Sequence, residues 1–320
     1  MGGVVSLRVV VCEFMDASGL DLLRAGAEVA YAPGLAEDGP ALLRAVRGID
    51  GLVVRNRCRV DAELLRAAGP GLRVVGRLGA GLDNVDLSAC AAAGVRVVFA
   101  RGANADAVCE YVLCAMLMHG RRLGEADRAV RAGLWPRDTY VATELGGKTL
   151  GLLGLGEVGR RLAARARAFG MDVVGHDPAL PPERLAQIPA RSLPVETVLE
   201  ASDFLSLHLP LLPETRHLLD SAALRRMRPG AVLINAARGG IVDEAALRSA
   251  LCAGRLGGAV LDVREFEPPP RPDPLADVPG VLLTPHIAGL TAEAQNRVGA
   301  MVAADVLAVL GGREPAAAAV

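Results

Sequence analysis

Three polar residues stand just past three apolar runs in the second half of the chain. They are Arg238 in Asn235-Ala236-Ala237-Arg238-Gly239-Gly240, Glu267 in Leu261-Asp262-Val263-Arg264-Glu265-Phe266-Glu267-Pro268, and His286 in Leu283-Thr284-Pro285-His286. These types suit the interconversion of a secondary alcohol and a ketone. Taking hydride from carbon requires a base for the hydroxyl proton, and histidine titrates in the right range. A carboxylate beside it fixes the tautomer and stabilises the imidazolium. An arginine gives a fixed charge and a planar fork for a carboxylate and its neighbouring oxygen. His286 is read as acid/base, Glu267 as its partner and Arg238 as substrate clamp. A solvated arginine and a structural histidine are the bland alternatives, and spacing alone leaves both readings standing. His119 and His217 read as helix or surface positions, and His208 ends a strand where it borders a cofactor.

The hydride needs an acceptor. The stretch Thr149-Leu150-Gly151-Leu152-Leu153-Gly154-Leu155-Gly156-Glu157-Val158-Gly159-Arg160 reads as a strand, a glycine turn and a helix over 157–169. In a dinucleotide fingerprint Gly154 permits the turn, Gly156 lets backbone approach a pyrophosphate, and Gly159 lets the helix pack close to the strand. Free N–H groups and the helix dipole favour the anion. Asp177 closes the next strand, 23 positions after Gly154, where a carboxylate binds ribose hydroxyls. Pro178, Ala179 and Leu180 follow it, with no cation for a 2′-phosphate. The cofactor expected is NAD rather than NADP.

Two α/β series position these residues. Apolar runs 7–12, 28–31, 50–54, 73–76 and 95–98 read as buried parallel strands, with helices over 17–26, 41–47, 61–68 and 86–93 between them. A helix over about 104–120 leads to a second series, with strands near 149–153, 171–176, 203–207, 231–235, 257–261 and 281–283. Six strands match a complete dinucleotide-binding sheet. The helix 291–310 needs a surface for its apolar stripe and is best packed back on the first series. The expectation is α/β, with two doubly wound parallel sheets: a Rossmann NAD-binding domain, 102–289, inserted in a flavodoxin-like substrate domain, 1–101 plus 290–320. The tail Pro315–Val320 is expected to fray.

Composition narrows the class. The chain has 320 residues and a formal net charge of −1, so no global field draws it to nucleic acid or membrane. Aromatic content of 3% argues against a base-stacking platform. Six scattered cysteines form no CxxC pair, so no metal is expected, and with no signal peptide or long apolar span a cytoplasmic protein is expected. Met1–Ser6 matches an N-myristoylation pattern, taken as chance.

At these residues the chain resembles the D-isomer-specific 2-hydroxyacid dehydrogenases. Matching segments are 76–86 (Gly-Arg-Leu-Gly-Ala-Gly-Leu-Asp-Asn-Val-Asp), the fingerprint, 208–215, Ala237-Arg238-Gly239-Gly240, Leu261-Asp262-Val263 with Glu267-Pro268, and Pro285-His286. The resemblance implies NAD dependence, a homodimer and the same roles for Arg238, Glu267 and His286. It places Glu157 and Val158 at the pyrophosphate and Leu209 and Ala236 along the cofactor. It sets Asp262 at the nicotinamide amide and Gly289 over the nicotinamide. The turn Leu78-Gly79-Ala80-Gly81 would offer N–H groups to the substrate carboxylate. The chain departs from the family at Arg264, where an aromatic is usual. It also ends without the regulatory domain of long phosphoglycerate dehydrogenases, so serine feedback is not expected.

The resemblance places the loop Val54-Arg55-Asn56-Arg57-Cys58-Arg59 against substrate. Its arginines are either a solvated edge or, at Arg55 and Arg57, a site for a second anion, with Asn56, Asn104 and Arg101 contributing. With Glu13-Phe14-Met15-Asp16 after the first strand, the look is nearer to sulfolactate dehydrogenase-like members than to biosynthetic phosphoglycerate dehydrogenases. The expected substrate is a small 2-hydroxy acid with a sulfonate or phosphate. The alternatives are a glyoxylate/hydroxypyruvate reductase and, from a different class, an NAD-binding corepressor-like binding protein. The segment 121–147 with Trp135 reads as a dimer arm, or Trp135 as a packed core residue.

Overall fold

The computed structural model describes residues 6–320, so Met1–Val5 of the N-terminal pattern lies outside the described residues. The chain divides into two compact units, Met1–Asn104 with Leu290–Val320, and Ala105–Gly289.

In the first unit five parallel strands, β1 (Arg8–Val11), β2 (Glu28–Tyr31), β3 (Gly51–Val54), β4 (Val74–Arg77) and β5 (Arg96–Phe99), lie in the order β2-β1-β3-β4-β5. This is the flavodoxin-like doubly wound order. All four residues of β3 are buried, as expected of a strand covered on both faces. The helix Ala292–Leu310 lies against β4: a Cβ on Gly76 would meet Val302 and Val306 side chains at 2.7 Å. Val298, Val302 and Val306 are the apolar stripe that this packing buries.

The tail does not fray. Asp305 is buried within that helix, and its carboxylate accepts from the Ala316 and Ala317 N–H groups at 2.7 and 3.1 Å. Ala318 bridges Val98 in antiparallel sense, and the Ala319 N–H donates to the Val97 carbonyl at 2.8 Å. A buried carboxylate requires donors, and the tail supplies them. Sequence composition around Pro315 carries no trace of that demand.

In the second unit the strands are β6 (Thr149–Leu153), β7 (Asp172–His176), β8 (Arg191–Ser192), β9 (Phe204–Leu207), β10 (Val232–Asn235), β11 (Gly258–Leu261) and β12 (Val281–Leu283). Their order is β12-β11-β10-β9-β6-β7-β8. The run β8-β7-β6-β9-β10-β11 is the Rossmann order, and β12 extends it beside β11. Seven strands replace the six expected. β8 is two exposed residues pairing at the sheet edge, too short to leave an apolar run. Among the described residues no helix is long and apolar enough to cross a membrane.

Between the helix Ala105–Gly120 and β6 the chain is poorly covered. Leu123, Val130, Leu134, Trp135 and Val141 are all exposed, Trp135 by 80%. A packed core tryptophan is therefore excluded.

Candidate active site and cofactor site

The dinucleotide turn joins β6 to the helix Glu157–Ala168. Gly154 adopts φ +95°, and a Cβ there would meet the His208 carbonyl oxygen at 2.5 Å. Only glycine satisfies both demands. A Cβ on Gly159 would stand 2.1 Å from the Gly154 carbonyl oxygen, whereas one on Gly156 meets nothing within 4 Å. The helix thus presses on the turn at Gly159 and leaves open space over Gly156, which is where a pyrophosphate fits. The Asp177 carboxylate accepts from the Leu155 and Ala179 N–H groups at 2.8 and 3.0 Å, which sets the acid beside the turn. Glu157 opens the helix, and its carboxylate takes Arg160 and Arg161 at 2.5 and 2.6 Å. Leu209 follows β9, with a methyl 3.3 Å from the Gly154 Cβ position, and Ala236 follows β10. These residues fit NAD.

Arg238, Glu267 and His286 follow β10, β11 and β12, at the carboxyl ends where open α/β sheets bind ligands. His286 Nδ1 lies 2.7 Å from Glu267 Oε2. Burial alone would raise the Glu267 carboxyl. The hydrogen bonds from His286 and the Arg264 N–H, with the His286 and Arg238 charges, outweigh that and hold it below the usual carboxylate range. An ionised carboxylate only accepts, so Nδ1 carries the proton and Nε2 is left for a reacting oxygen. His208 makes a contrast. Burial pushes it down to about 4, and its ring faces the Ser206 hydroxyl at 3.0 Å. Among the described residues no carboxylate pairs with it.

His286 sits in left-handed backbone at φ +57°, uncommon for a residue with a side chain and costing about 1–3 kcal/mol. Asp262, 1% exposed, holds it there. Its backbone carbonyl accepts from the His286 N–H at 2.7 Å. Its carboxylate accepts from Thr284 Oγ1, Ile287 N and Ala288 N at 2.6, 2.7 and 2.8 Å. Tyr111 reaches the Thr284 hydroxyl at 2.5 Å. Three of about four acceptor positions on Asp262 are thus internal, and one on Oδ2 remains for an amide donor. Sequence reasoning missed Thr284 and Tyr111, because their partners are 22 and 173 residues away.

Arg264, where the family has an aromatic, is buried and ion-paired. It donates to both Glu244 oxygens at 3.0 and 2.7 Å and to Asp273, while its N–H binds Glu267 Oε1 at 3.1 Å. The loop carrying Glu267 is thereby tied to the helix Glu244–Cys252. Asp262, Arg264, Glu267, Thr284 and His286 line a cavity of about 430 Å³.

Within the first unit, Arg55 lies over the Phe14 ring with its guanidinium carbon 5.9 Å from the centroid, and Arg57 pairs with Glu37. Arg101 stacks over Phe99 at 5.2 Å. In the turn 78–81, the Leu78 and Gly79 N–H groups donate to the Val54 and Arg77 carbonyls. The N–H groups of Ala80 and Gly81 have no acceptor among the described residues, so the turn offers two donors rather than four. Asn104 ends the first unit at the crossing. Gly289 ends the second, just after buried Ala288. No cluster of metal-ligating side chains occurs among the described residues.

Comparison with known proteins identifies the family. Residues 113–288 match the family model for the D-isomer specific 2-hydroxyacid dehydrogenase NAD binding domain. The (S)-sulfolactate dehydrogenase of Chromohalobacter salexigens is 45% identical over 95% of this chain and 99% of its own. The D-3-phosphoglycerate dehydrogenase of Archaeoglobus fulgidus is 40% identical over 94% of this chain, which spans 57% of that longer relative. A crystal structure of a protein from Thermus thermophilus superposes with a TM-score of 0.90 at 38% identity, covering 98% of this chain and all of that one. The chain belongs to the D-isomer specific 2-hydroxyacid dehydrogenases and is an NAD-dependent oxidoreductase of 2-hydroxy acids.

Proposed function

We propose that the protein interconverts a three-carbon 2-hydroxy acid bearing a second anionic group, a sulfonate or phosphate, with its 2-oxo acid. The observation that carries the catalytic part is the 2.7 Å pair between His286 Nδ1 and Glu267 Oε2. NAD, when bound, accepts the hydride from C2. His286 Nε2 takes the hydroxyl proton in oxidation and returns it in reduction. Glu267 stays ionised and stabilises the imidazolium. Arg238 holds the substrate carboxylate and the C2 oxygen in its planar fork.

The second anion is assigned to the loop 55–59. Arg57 is engaged in an exposed pair with Glu37, whose side chains are 70% and 62% exposed. Such pairs contribute little and are readily exchanged for a substrate anion. The likeness to a relative named for (S)-sulfolactate supports this choice. The test is NADH oxidation with 3-sulfopyruvate, 3-phosphohydroxypyruvate, hydroxypyruvate and glyoxylate. A preference for one of the first two is expected, and Arg55→Ala reduces it about 10- to 100-fold, as loss of a charge-assisted hydrogen bond implies. Equal or better turnover of the last two would make these arginines surface residues and the protein a general hydroxypyruvate reductase.

The active form is a cytoplasmic homodimer joined through 121–147, whose exposed Leu134, Trp135 and Val141 supply the apolar contact. Light scattering is expected to give twice the 33.1 kDa chain mass, and Trp135→Asp to shift it to monomer. A monomeric wild type would refute the arm.

A further inference from the structure

The first unit contains a cradle built for an anion and already filled by the chain itself. In a sheet of order β2-β1-β3-β4-β5 the direction of winding reverses between β1 and β3, and ligands bind beyond the carboxyl ends there. Glu13 follows β1 by two residues and Arg55 follows β3 directly. The Glu13 side chain is 5% exposed. Oε1 accepts from the N–H groups of Arg55 and Cys58 at 2.7 and 3.1 Å. Oε2 accepts from Asn56 and Arg57 at 3.1 and 2.9 Å. Four successive N–H groups converging on one point form an anion nest, and here all four acceptor positions of one carboxylate fill it. The opposite side of the loop is closed as well. Asn84 Nδ2 donates to the Arg55 and Cys58 carbonyls at 3.3 and 2.6 Å.

We infer that Glu13 is a specificity-determining positioning residue: its carboxylate stands in for a ligand anion on the loop 55–58 and sets the arginine side chains to read the second anionic group of the substrate. The inference rests on the assignment of that loop to the second anion. With the main-chain donors occupied by Glu13, a substrate sulfonate or phosphate is recognised by guanidinium groups alone. The loop gives that group charge and reach but no backbone contact. Discrimination between dianionic and monoanionic substrates therefore depends on a residue that touches neither.

The experiment compares kcat/KM for 3-sulfopyruvate or 3-phosphohydroxypyruvate, whichever is better, with that for glyoxylate in Glu13→Gln. The amide presents two donors and one acceptor to four N–H groups, so the loop loses its fixed shape. The ratio of the two kcat/KM values is expected to fall at least tenfold, through KM of the dianionic substrate. Glu13→Asp, which keeps the charge but withdraws it by one methylene, is expected to give an intermediate ratio and serves if the glutamine variant does not fold. In Glu13→Gly, added acetate is expected to restore part of the ratio by entering the cradle. An unchanged ratio in Glu13→Gln and Glu13→Asp, with the ratio lost in Arg55→Ala, overturns the role of Glu13 alone. A ratio unchanged in Arg55→Ala and Arg57→Ala overturns the loop assignment itself.

Discussion

His286→Ala is expected to lower kcat for oxo-acid reduction by about 10³- to 10⁴-fold, towards the upper end of what a positioned acid/base contributes. The reasoning starts from tautomer and partner. Nδ1 is committed to Glu267 Oε2 at 2.7 Å, so one nitrogen remains to move a proton at the C2 oxygen. Reduction needs a proton on that nitrogen, and oxidation needs the nitrogen free to take one. Glu267 has its carboxyl below the usual range, so its contribution is present at neutral pH and is lost only as pH falls through that lowered value. Glu267→Gln removes the anion that stabilises the imidazolium and is expected to lower kcat about 10- to 100-fold. Steady-state kinetics across pH in both directions checks this. A loss below tenfold in His286→Ala, or an unchanged kcat in Glu267→Gln, would remove the pair from proton transfer.

Gly159→Ala is expected to weaken NADH binding about 10- to 100-fold and to cost about 1–3 kcal/mol of folding stability, as overpacking does. The added carbon would stand 2.1 Å from the Gly154 carbonyl oxygen, and the obstacle is backbone, so helix and turn must part. Gly156→Ala is the informative contrast. Among the described residues, none beyond its chain neighbours lies within 4 Å of its Cβ position, so its melting temperature is expected to fall less than that of Gly159→Ala. Its NADH affinity is still expected to drop, since Gly156 is the position expected to face the pyrophosphate. Fluorescence titration and thermal unfolding separate the two. Equal losses of stability in both variants would contradict the division of labour among the glycines.

The strands were readable because parallel strands covered on both faces are short apolar runs, as β3, β9 and β10 are. The positions of Arg238, Glu267 and His286 after β10, β11 and β12 were readable because each comes shortly after an apolar run. What escaped is whatever depends on distant partners. Arg264 alone looks like a departure from pattern; it becomes intelligible once Glu244, 20 residues earlier, and Asp273 are seen around it. Asp262 was visible as a motif residue, but its grip on the left-handed turn at His286 was not. Glu13 is an ordinary acid in sequence and a fourfold acceptor in three dimensions. The edge strand β8 has no hydrophobic signature at all.

The pinned tail has a consequence for solubility. β5 ends the five-stranded sheet, and a bare strand at that position would present a row of unpaired amides to another chain. Ala318 and Ala319 occupy part of that row, held by the buried Asp305 carboxylate. Residues 317–320 cover that edge, so cleavage after Glu314 is expected to expose it to pairing with another chain, which a rise in light scattering after clipping would check.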